Sequence, residues 1–244
     1  MFTKGIIKLA RVLITGATRG IGKSIFEELA SVCDVYTVAR SEDNLKHLNP
    51  KGYFVCNLAE KDSVDKLCEF IKTTKFDIII NNAGEYIYGG IDDMNNEQIS
   101  SIYNVNLLSP VKIIRSAVPY MKEKKWGRII NIGSISGVMG EAYASLYSST
   151  KSGLIGLTKA LALELAEYNI TVNTINPGWV DTDMGNNSAD ESEFSKEEII
   201  SCIPQKRFVS PQEVAGLVKY LISEEAKGIT GQSINICAGL SVGC

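Results

Sequence analysis

Short runs rich in valine and isoleucine alternate, along nearly the whole chain, with segments whose apolar residues recur at helical spacing. "RVLITG" (11–16) precedes the helix-like "GIGKSIFEELASV" (20–32). "CDVYTVAR" (33–40) and "GYFVCNL" (52–58) come before "EKDSVDKLCEFIKT" (60–73), and "FDIIINNAG" (76–84) before a long helical region. "GRIINIGS" (127–134), "ITVNTINPG" (170–178) and "GQSINICAG" (231–239) complete the set. Strands so apolar are covered on both faces, and parallel strands need long crossovers. The pattern therefore predicts an α/β fold: one domain over 1–244, a doubly wound parallel sheet of Rossmann type with helices on both faces. One stretch breaks the alternation. Residues 181–209 are polar and rich in turn formers, which predicts an irregular excursion, with 183–207 as a lid over a substrate site.

Composition excludes several classes. A net charge of −3 on 244 residues offers no basic field for nucleic acid and no polybasic face for a membrane. The six cysteines (33, 56, 68, 202, 237, 244) form no Cys-x2-Cys, and His47 is the only histidine, which argues against a metal site or a disulfide framework and for reduced thiols in the cytoplasm. The apolar run in "MFTKGIIKLARVLITG" is too short and too broken by Lys and Arg for a signal peptide or a membrane span.

"TGATRGIG" (15–22) lies between the first strand and the first helix. Glycines at 16, 20 and 22 allow a tight turn, close backbone approach to a pyrophosphate and close helix packing, while the helix N-terminus faces the phosphates. The loop residues assigned to a dinucleotide are Gly16, Thr18, Arg19, Gly20, Ile21 and Gly22. An acid at the end of the second strand would bond the ribose of NAD and repel a 2′-phosphate; Arg40 stands there instead, and Arg19 lies in the loop. Two guanidiniums favour NADP(H) over NAD(H), although Glu42 and Asp43 follow closely and would blunt the effect.

Two Tyr-x3-Lys pairs occur, Tyr120–Lys124 and Tyr147–Lys151. Ser134 ends the strand "RIINIGS", at the edge where parallel sheets bind ligands, and a helix after the next loop brings Tyr147 beside it with Lys151 one turn along. Tyr120–Lys124 precedes that strand, so it is expected to be a solvated helix end. A close ammonium lowers the pKa of a phenol, which predicts that Tyr147 relays a proton to or from a carbonyl oxygen while Ser134 hydrogen-bonds that oxygen. With one histidine and no Gly-x-Ser-x-Gly around Ser134, a Ser–His–Asp hydrolase does not fit.

"TGATRGIG", "NNAG" (81–84), Ser134 with Tyr147-x3-Lys151, and "PGWVDT" (177–182) together resemble the short-chain dehydrogenase/reductase family, from Val12 to "ITGQSINI". The resemblance implies an NAD(P)-dependent oxidoreductase, commonly a homotetramer, otherwise a dimer. It implies that Lys151 also bonds the ribose hydroxyls. Asn106, preferred to Asn104, would be the fourth catalytic member, keeping a helix kinked and a water in the proton path. It assigns Asn57 and Leu58 to the adenine, Asn82, Ala83 and Gly84 to the ribose, and Pro177, Gly178, Val180 and Thr182 to the nicotinamide amide.

Within the family the chain is most similar to the 3-oxoacyl-[acyl-carrier-protein] reductases, in "GRIINIGSISGVMG", "NPGWVDTDM" and the run from "IPQKRF" to "ITGQ". That implies an acyl-thioester substrate and a place in fatty acid biosynthesis, with acyl carrier protein docking on Lys122, Lys124 and Lys125. "EYN" (167–169) stands where those reductases often carry a basic residue, and the segment from Arg40 to Asn57 is shorter than usual. The alternatives are another alcohol or ketone (a sugar, a steroid, a small ketone), a non-catalytic NADP sensor, and a methyltransferase, which would leave Tyr147–Lys151 unexplained. Substrate is expected between the 85–90 and 139–143 loops and the lid, against Tyr86, Tyr88, Met139, Tyr143, Trp179 and Met184.

Overall fold

The first apolar run becomes β1 (Arg11–Thr15), buried at every residue but Arg11. In this computed structural model, which describes residues 10–191 and 195–243, six further strands join it. They are β2 (Asp34–Ala39), β3 (Gly52–Val55), β4 (Ile78–Asn81), β5 (Gly127–Ile132), β6 (Ile170–Pro177) and β7 (Ser233–Ile236). The order is β3-β2-β1-β4-β5-β6-β7 and every pairing is parallel. The chain runs outward to β3 and returns on the other side of β1 as β4, so a crevice opens beyond the carboxyl ends of β1 and β4.

Alternation along β1 sorts the helices onto two faces. Val12 and Ile14 pack in one core with Ile25 of α1 (Gly20–Leu29) and Val214 and Val218 of α10 (Pro211–Leu221). Leu13 packs in the other with Leu67 of α3 (Lys61–Thr74) and Ile113 of α5 (Ser109–Lys124). The predicted doubly wound sheet is the observed one. Strands stop earlier than the apolar runs that announce them: Gly16, Gly133 and Gly178 lie just beyond β1, β5 and β6.

Two expectations fail. The segment 181–209 is largely helical, with α8 (Asp183–Glu191) and α9 (Lys196–Cys202); residues 192–194, within the expected lid, lie outside the described residues, as do 1–9 and 244. Ser195 and Glu198 form a reciprocal capping box that starts α9, and Ile199 and Ile203 bury with Ala189 beside the stacked rings of Trp179 and Phe208. A few well-spaced apolar residues outweigh the turn-forming composition. The helix end with Tyr120 and Lys124 is not merely solvated either. Lys124 ion-pairs with buried Asp77, Tyr120 donates to the same carboxylate at 3.4 Å, and Asp77 also accepts from the Arg11 amide at 2.9 Å. Among the described residues no helix is long and apolar enough to cross a membrane.

Candidate active site

At the carboxyl end of β1 the chain turns through Gly16 (φ +71) and Gly20 (φ +54), both in the left-handed region. Gly22 is fixed by contact instead, since a Cβ there would stand 2.1 Å from the Gly16 carbonyl oxygen and 2.4 Å from Asn82 Nδ2. Asn82 secures the turn by donating to the carbonyls of Thr15 and Gly16, each at 2.9 Å, while Thr15 Oγ1 accepts from the amides of Asn82 and Ala83. The Gly16 amide donates to Val38 at 2.8 Å, tying the loop to the end of β2. Helix α1 then begins with no side chain capping it, so its first amides face the crevice. The loop fits a pyrophosphate. Thr18 and Ile21 are partly buried in it, and a Cβ on Gly20 would meet Thr182 at 3.2 Å, so the "PGWVDT" turn closes on the same loop.

Arg19 and Arg40 are both exposed, one in the glycine loop and the other just past β2. Glu42 does not neutralise Arg40. Its carboxylate accepts from the Tyr53 hydroxyl at 2.7 Å and pairs with Lys46 at 3.1 Å, and these partners hold it below the usual carboxylate range.

The catalytic candidates converge beyond β5. Ser134 follows the strand, α6 (Ser136–Met139) turns the chain, and α7 (Ser145–Leu165) presents Tyr147 and Lys151. A Cβ on Gly137 would stand 2.7 Å from Lys151 Cβ, so glycine there lets α6 lie directly on α7. Ser134 stands beside Tyr147 and favours its ionised form. Lys151 is almost wholly buried and donates from Nζ to the Ile132 carbonyl at 2.9 Å. Asn106 sits in a π-helical turn (Asn104–Leu108) between α4 (Asn96–Tyr103) and α5, as the expected kink requires. It accepts from the Glu85 amide at 2.8 Å, donates to the Glu85 carbonyl at 2.8 Å, and reaches Thr150 at 3.2 Å. Asn104 points elsewhere, to the Ala59 carbonyl.

The predicted tuning of the phenol is not what the geometry gives. Burial pushes Tyr147 up to about 12; Ser134 acts against this, and the charge of Glu141 adds to it. Lys151 does not reverse the shift because Nζ lies over the face of the ring, 5.5 Å from its centroid, and is committed to a carbonyl. Burial also lowers Lys151 to about 8. Tyr147 is thus a phenol at neutral pH, an acid that still holds its proton.

Sequence reasoning missed Glu141. Its Oε2 accepts from Ser136 Oγ at 2.5 Å and its Oε1 from the Tyr86 hydroxyl at 2.7 Å, while the ring of Tyr86 meets that of Tyr147 edge-on at 5.1 Å. The signal was available, for Glu141 is the only charged residue between Arg128 and Lys151. Ser136 Oγ accepts a hydrogen bond from Ser134 at 3.1 Å.

Other expected residues divide. The 85–90 and 139–143 loops do meet, through the Gly89 amide on the Tyr143 carbonyl at 2.7 Å and the rings of Tyr88 and Tyr143. Gly84 lies beside Lys151 Nζ and Asn106 Oδ1. Asn57 turns its carbonyl onto the Ala59 amide, and Leu58 and Val180 are core residues, leaving chiefly their backbone to a ligand. Pro177 is buried at the end of β6, and Gly178 packs against Cys237. Lys122, Lys124 and Lys125 precede β5, at the opposite end of the sheet from Ser134, with Lys122 over the Tyr168 ring and Lys124 on Asp77.

Comparisons with known proteins give the family. Residues 10–193 match the short chain dehydrogenase family. The 3-oxoacyl-[acyl-carrier-protein] reductase FabG of Salmonella typhimurium is 35% identical over 237 residues, 93% of this chain and 96% of its own. Among solved structures, a variant of the actinorhodin polyketide ketoreductase with NADPH superposes with a TM-score of 0.88 at 33% identity, covering 96% of this chain and 98% of that one. A putative NAD(P)-dependent gluconate 5-dehydrogenase of Beutenbergia cavernae, with bound NADP, superposes at 0.90 with 26% identity over 96% and 97% of the two chains. With Ser134, Tyr147 and Lys151 assembled at the carboxyl edge of a parallel sheet, beside a glycine loop in the family's order, the chain belongs to the short-chain dehydrogenases and is an NAD(P)-dependent oxidoreductase acting on the alcohol–carbonyl pair.

Proposed function

We propose that the protein reduces a 3-oxoacyl thioester to the 3-hydroxyacyl form with NADPH. The observation that carries the reading is the convergence of Ser134, Tyr147 and Lys151 beyond the carboxyl end of β5, with Lys151 Nζ 5.5 Å from the centroid of the Tyr147 ring. The glycine loop would hold NADPH, with Arg19 and Arg40 to receive its 2′-phosphate, and the coenzyme would supply a hydride to the carbonyl carbon. As negative charge gathers on the carbonyl oxygen, Ser134 turns its hydroxyl to donate to it, and the O–H bond of Tyr147 breaks as the oxygen takes the proton. An alkoxide is a stronger base than a phenolate, so this transfer runs downhill even from a phenol near 12. Asn106 positions the Glu85–Tyr86 loop and the Thr150 hydroxyl around the pair.

Residues 183–207 act as the lid in this reading, with Met184 on α8 and the Trp179–Phe208 stack at its base. Exposed Leu108, Val111 and Leu163 support association with further copies of the chain. A second reading, reduction of a free ketone, is favoured by one observation: the lysines expected to receive a carrier protein lie at the far end of the sheet.

The test is a panel of carbonyls with NADPH and with NADH. It includes acetoacetyl thioesters of coenzyme A and of acyl carrier protein, a sugar ketone and a steroid ketone. Turnover of the thioesters with NADPH at least tenfold above the other pairs is the expected result. Preference for a free ketone would move the assignment to the second reading. Tight NADPH binding with no turnover of any carbonyl would make the chain a sensor.

A further inference from the structure

A 3-oxo acid and its thioester share the carbonyl that the proposed reaction reduces. They differ two carbons along, where the acid carries a carboxylate and the thioester no charge. The wall of the cleft beside Ser134 and Tyr147 can read that difference. Glu141, half-buried between α6 and α7, accepts from Ser136 Oγ at 2.5 Å and from the Tyr86 hydroxyl at 2.7 Å. Ser136 Oγ in turn accepts from Ser134 Oγ at 3.1 Å, and the Tyr86 ring meets the Tyr147 ring edge-on at 5.1 Å. The carboxylate thus stands one side chain away from each proposed partner of the reacting oxygen. No cation matches it. Among the described residues, no lysine or arginine forms an ion pair with Glu141. The segment that carries Tyr86 supplies none either, since residues 76–111 include Asp77, Glu85, Asp92, Asp93 and Glu97 but neither lysine nor arginine. Glu85 turns to Ser101, at 2.7 Å, whereas Glu141 is tied to the serines of the site. Burial and the Glu141 carboxylate hold the Tyr86 hydroxyl well above the usual phenol range, so Tyr86 stays a neutral donor.

We propose that Glu141 is a specificity-determining residue: a fixed negative charge that excludes 3-oxo substrates with a free carboxylate beside the reacting carbonyl and admits those whose carboxyl is masked as a neutral thioester or ester. The proposal rests on the carbonyl-reductase reading above. Productive binding brings the reacting oxygen to Tyr147 and Ser134, and so carries a carboxylate two carbons away into the neighbourhood of Glu141. Like charges in a cleft shielded from water repel far more strongly than in solution, and an unmatched charge rejects the wrong ligand without weakening a neutral one. Lys151 does not cancel the field for an incoming anion, because its ammonium is 3% exposed and committed to the Ile132 carbonyl. Each Glu141 oxygen takes one hydrogen bond from Ser136 or Tyr86 and keeps a further lone pair, which an N–H on a thioester's carrier arm can use. A positive charge in the same place would be drawn in by the same carboxylate.

The experiment compares kcat/KM with NADPH for three 3-oxo compounds that differ in charge at that position: acetoacetate, an anion; ethyl acetoacetate, neutral; and acetoacetylcholine, a cation. The wild type should turn over the ethyl ester at least tenfold better than acetoacetate. Glu141→Gln keeps an acceptor without the charge, and Glu141→Ala removes both. Each should lower the ratio of ethyl ester to acetoacetate about tenfold, and lower the choline ester relative to the ethyl ester. Tyr86→Phe keeps the carboxylate and should leave the ratio within about threefold of wild type. A ratio unmoved in both Glu141 variants overturns the filter. An equal fall in Tyr86→Phe does so too, since altered packing alone would produce it. A wild type that reduces acetoacetate as readily as the ethyl ester overturns the filter without any variant and leaves the reductase reading standing. A wild type that reduces none of the three overturns the reading beneath it.

Discussion

Two tyrosine–lysine pairs of identical spacing sit at opposite ends of one sheet. Tyr147–Lys151 lies near the start of α7, beyond the carboxyl end of β5; Tyr120–Lys124 ends α5, just before β5 begins. The spacing itself says only that two side chains share a helix face. What separates the pairs is the partner each lysine meets. Lys124 finds the buried carboxylate of Asp77, so its charge is matched and its position is structural. Lys151, 3% exposed, makes no ion pair among the described residues; it has a carbonyl dipole and the face of a ring. An ammonium left without a counter-ion in a crevice is costly to the fold and useful to a ligand.

The largest expected effect breaks the symmetry of the pairs directly. Tyr147→Phe removes the proton that the carbonyl oxygen takes and should lower kcat by about 10²–10⁴, or about 3–5 kcal/mol of barrier, with NADPH affinity within about twofold of wild type. Tyr120→Phe should leave kcat unchanged, because that hydroxyl contacts only the edge of the Asp77 cluster, at 3.4 Å. Steady-state kinetics and a fluorescence titration with NADPH decide it. Equal losses from both substitutions would mean that position along the sheet does not assign the role.

A smaller effect belongs to the other end. Asp77→Asn keeps the shape of the side chain but removes the charge shared by Lys124, Tyr120 and the Arg11 amide. It should reduce unfolding free energy by about 2 kcal/mol, read as a lower urea midpoint, with kcat retained. If turnover fell in step with stability, the lower cluster would be coupled to the site and the contrast between the two ends would fail.

How much of this was readable beforehand follows from where the physics is local. The sheet, its direction and the glycine loop are written in short stretches: each strand is an apolar run, and Gly16 and Gly20 answer to the left-handed turn itself. The groups that crowd Gly16, Gly20 and Gly22, at Ala83, Thr182 and Asn82, nevertheless come from far along the chain. Ser134, Tyr147 and Lys151 were legible because one strand end and one helix carry all three. Asp77 was not, since its partners come from β1 and α5, and no spacing between residues 11, 77, 120 and 124 encodes a shared carboxylate. Glu141 was half-legible, as the only charge in a long neutral stretch, but its bond to Tyr86 spans 55 residues. The direction of the Tyr147 shift was misjudged for a similar reason. Sequence places an ammonium one turn away, and only coordinates reveal that it faces the ring and a carbonyl and that burial dominates. In 181–209 composition spoke for turns, while three buried apolar residues and one capping box decided for helices.

The smallest effect tests whether Lys151 is as unmatched as the comparison requires. Burial lowers it from 10.5 to about 8 in the folded protein. Between those values the unfolded chain holds a proton that the folded chain has released, so folding is penalised below pH 8 and the penalty lifts as pH rises through 8 toward 10.5. From pH 7 to pH 9 the gain is roughly 1 kcal/mol. Urea midpoints of wild type and Lys151→Met, measured without coenzyme at both pH values, isolate the lysine, because the other titrating groups, Tyr147 included, are common to both proteins. The wild type should gain on the variant as pH rises. A constant gap would mean that the ammonium is solvated or paired, and the upper lysine would then differ from Lys124 in location only.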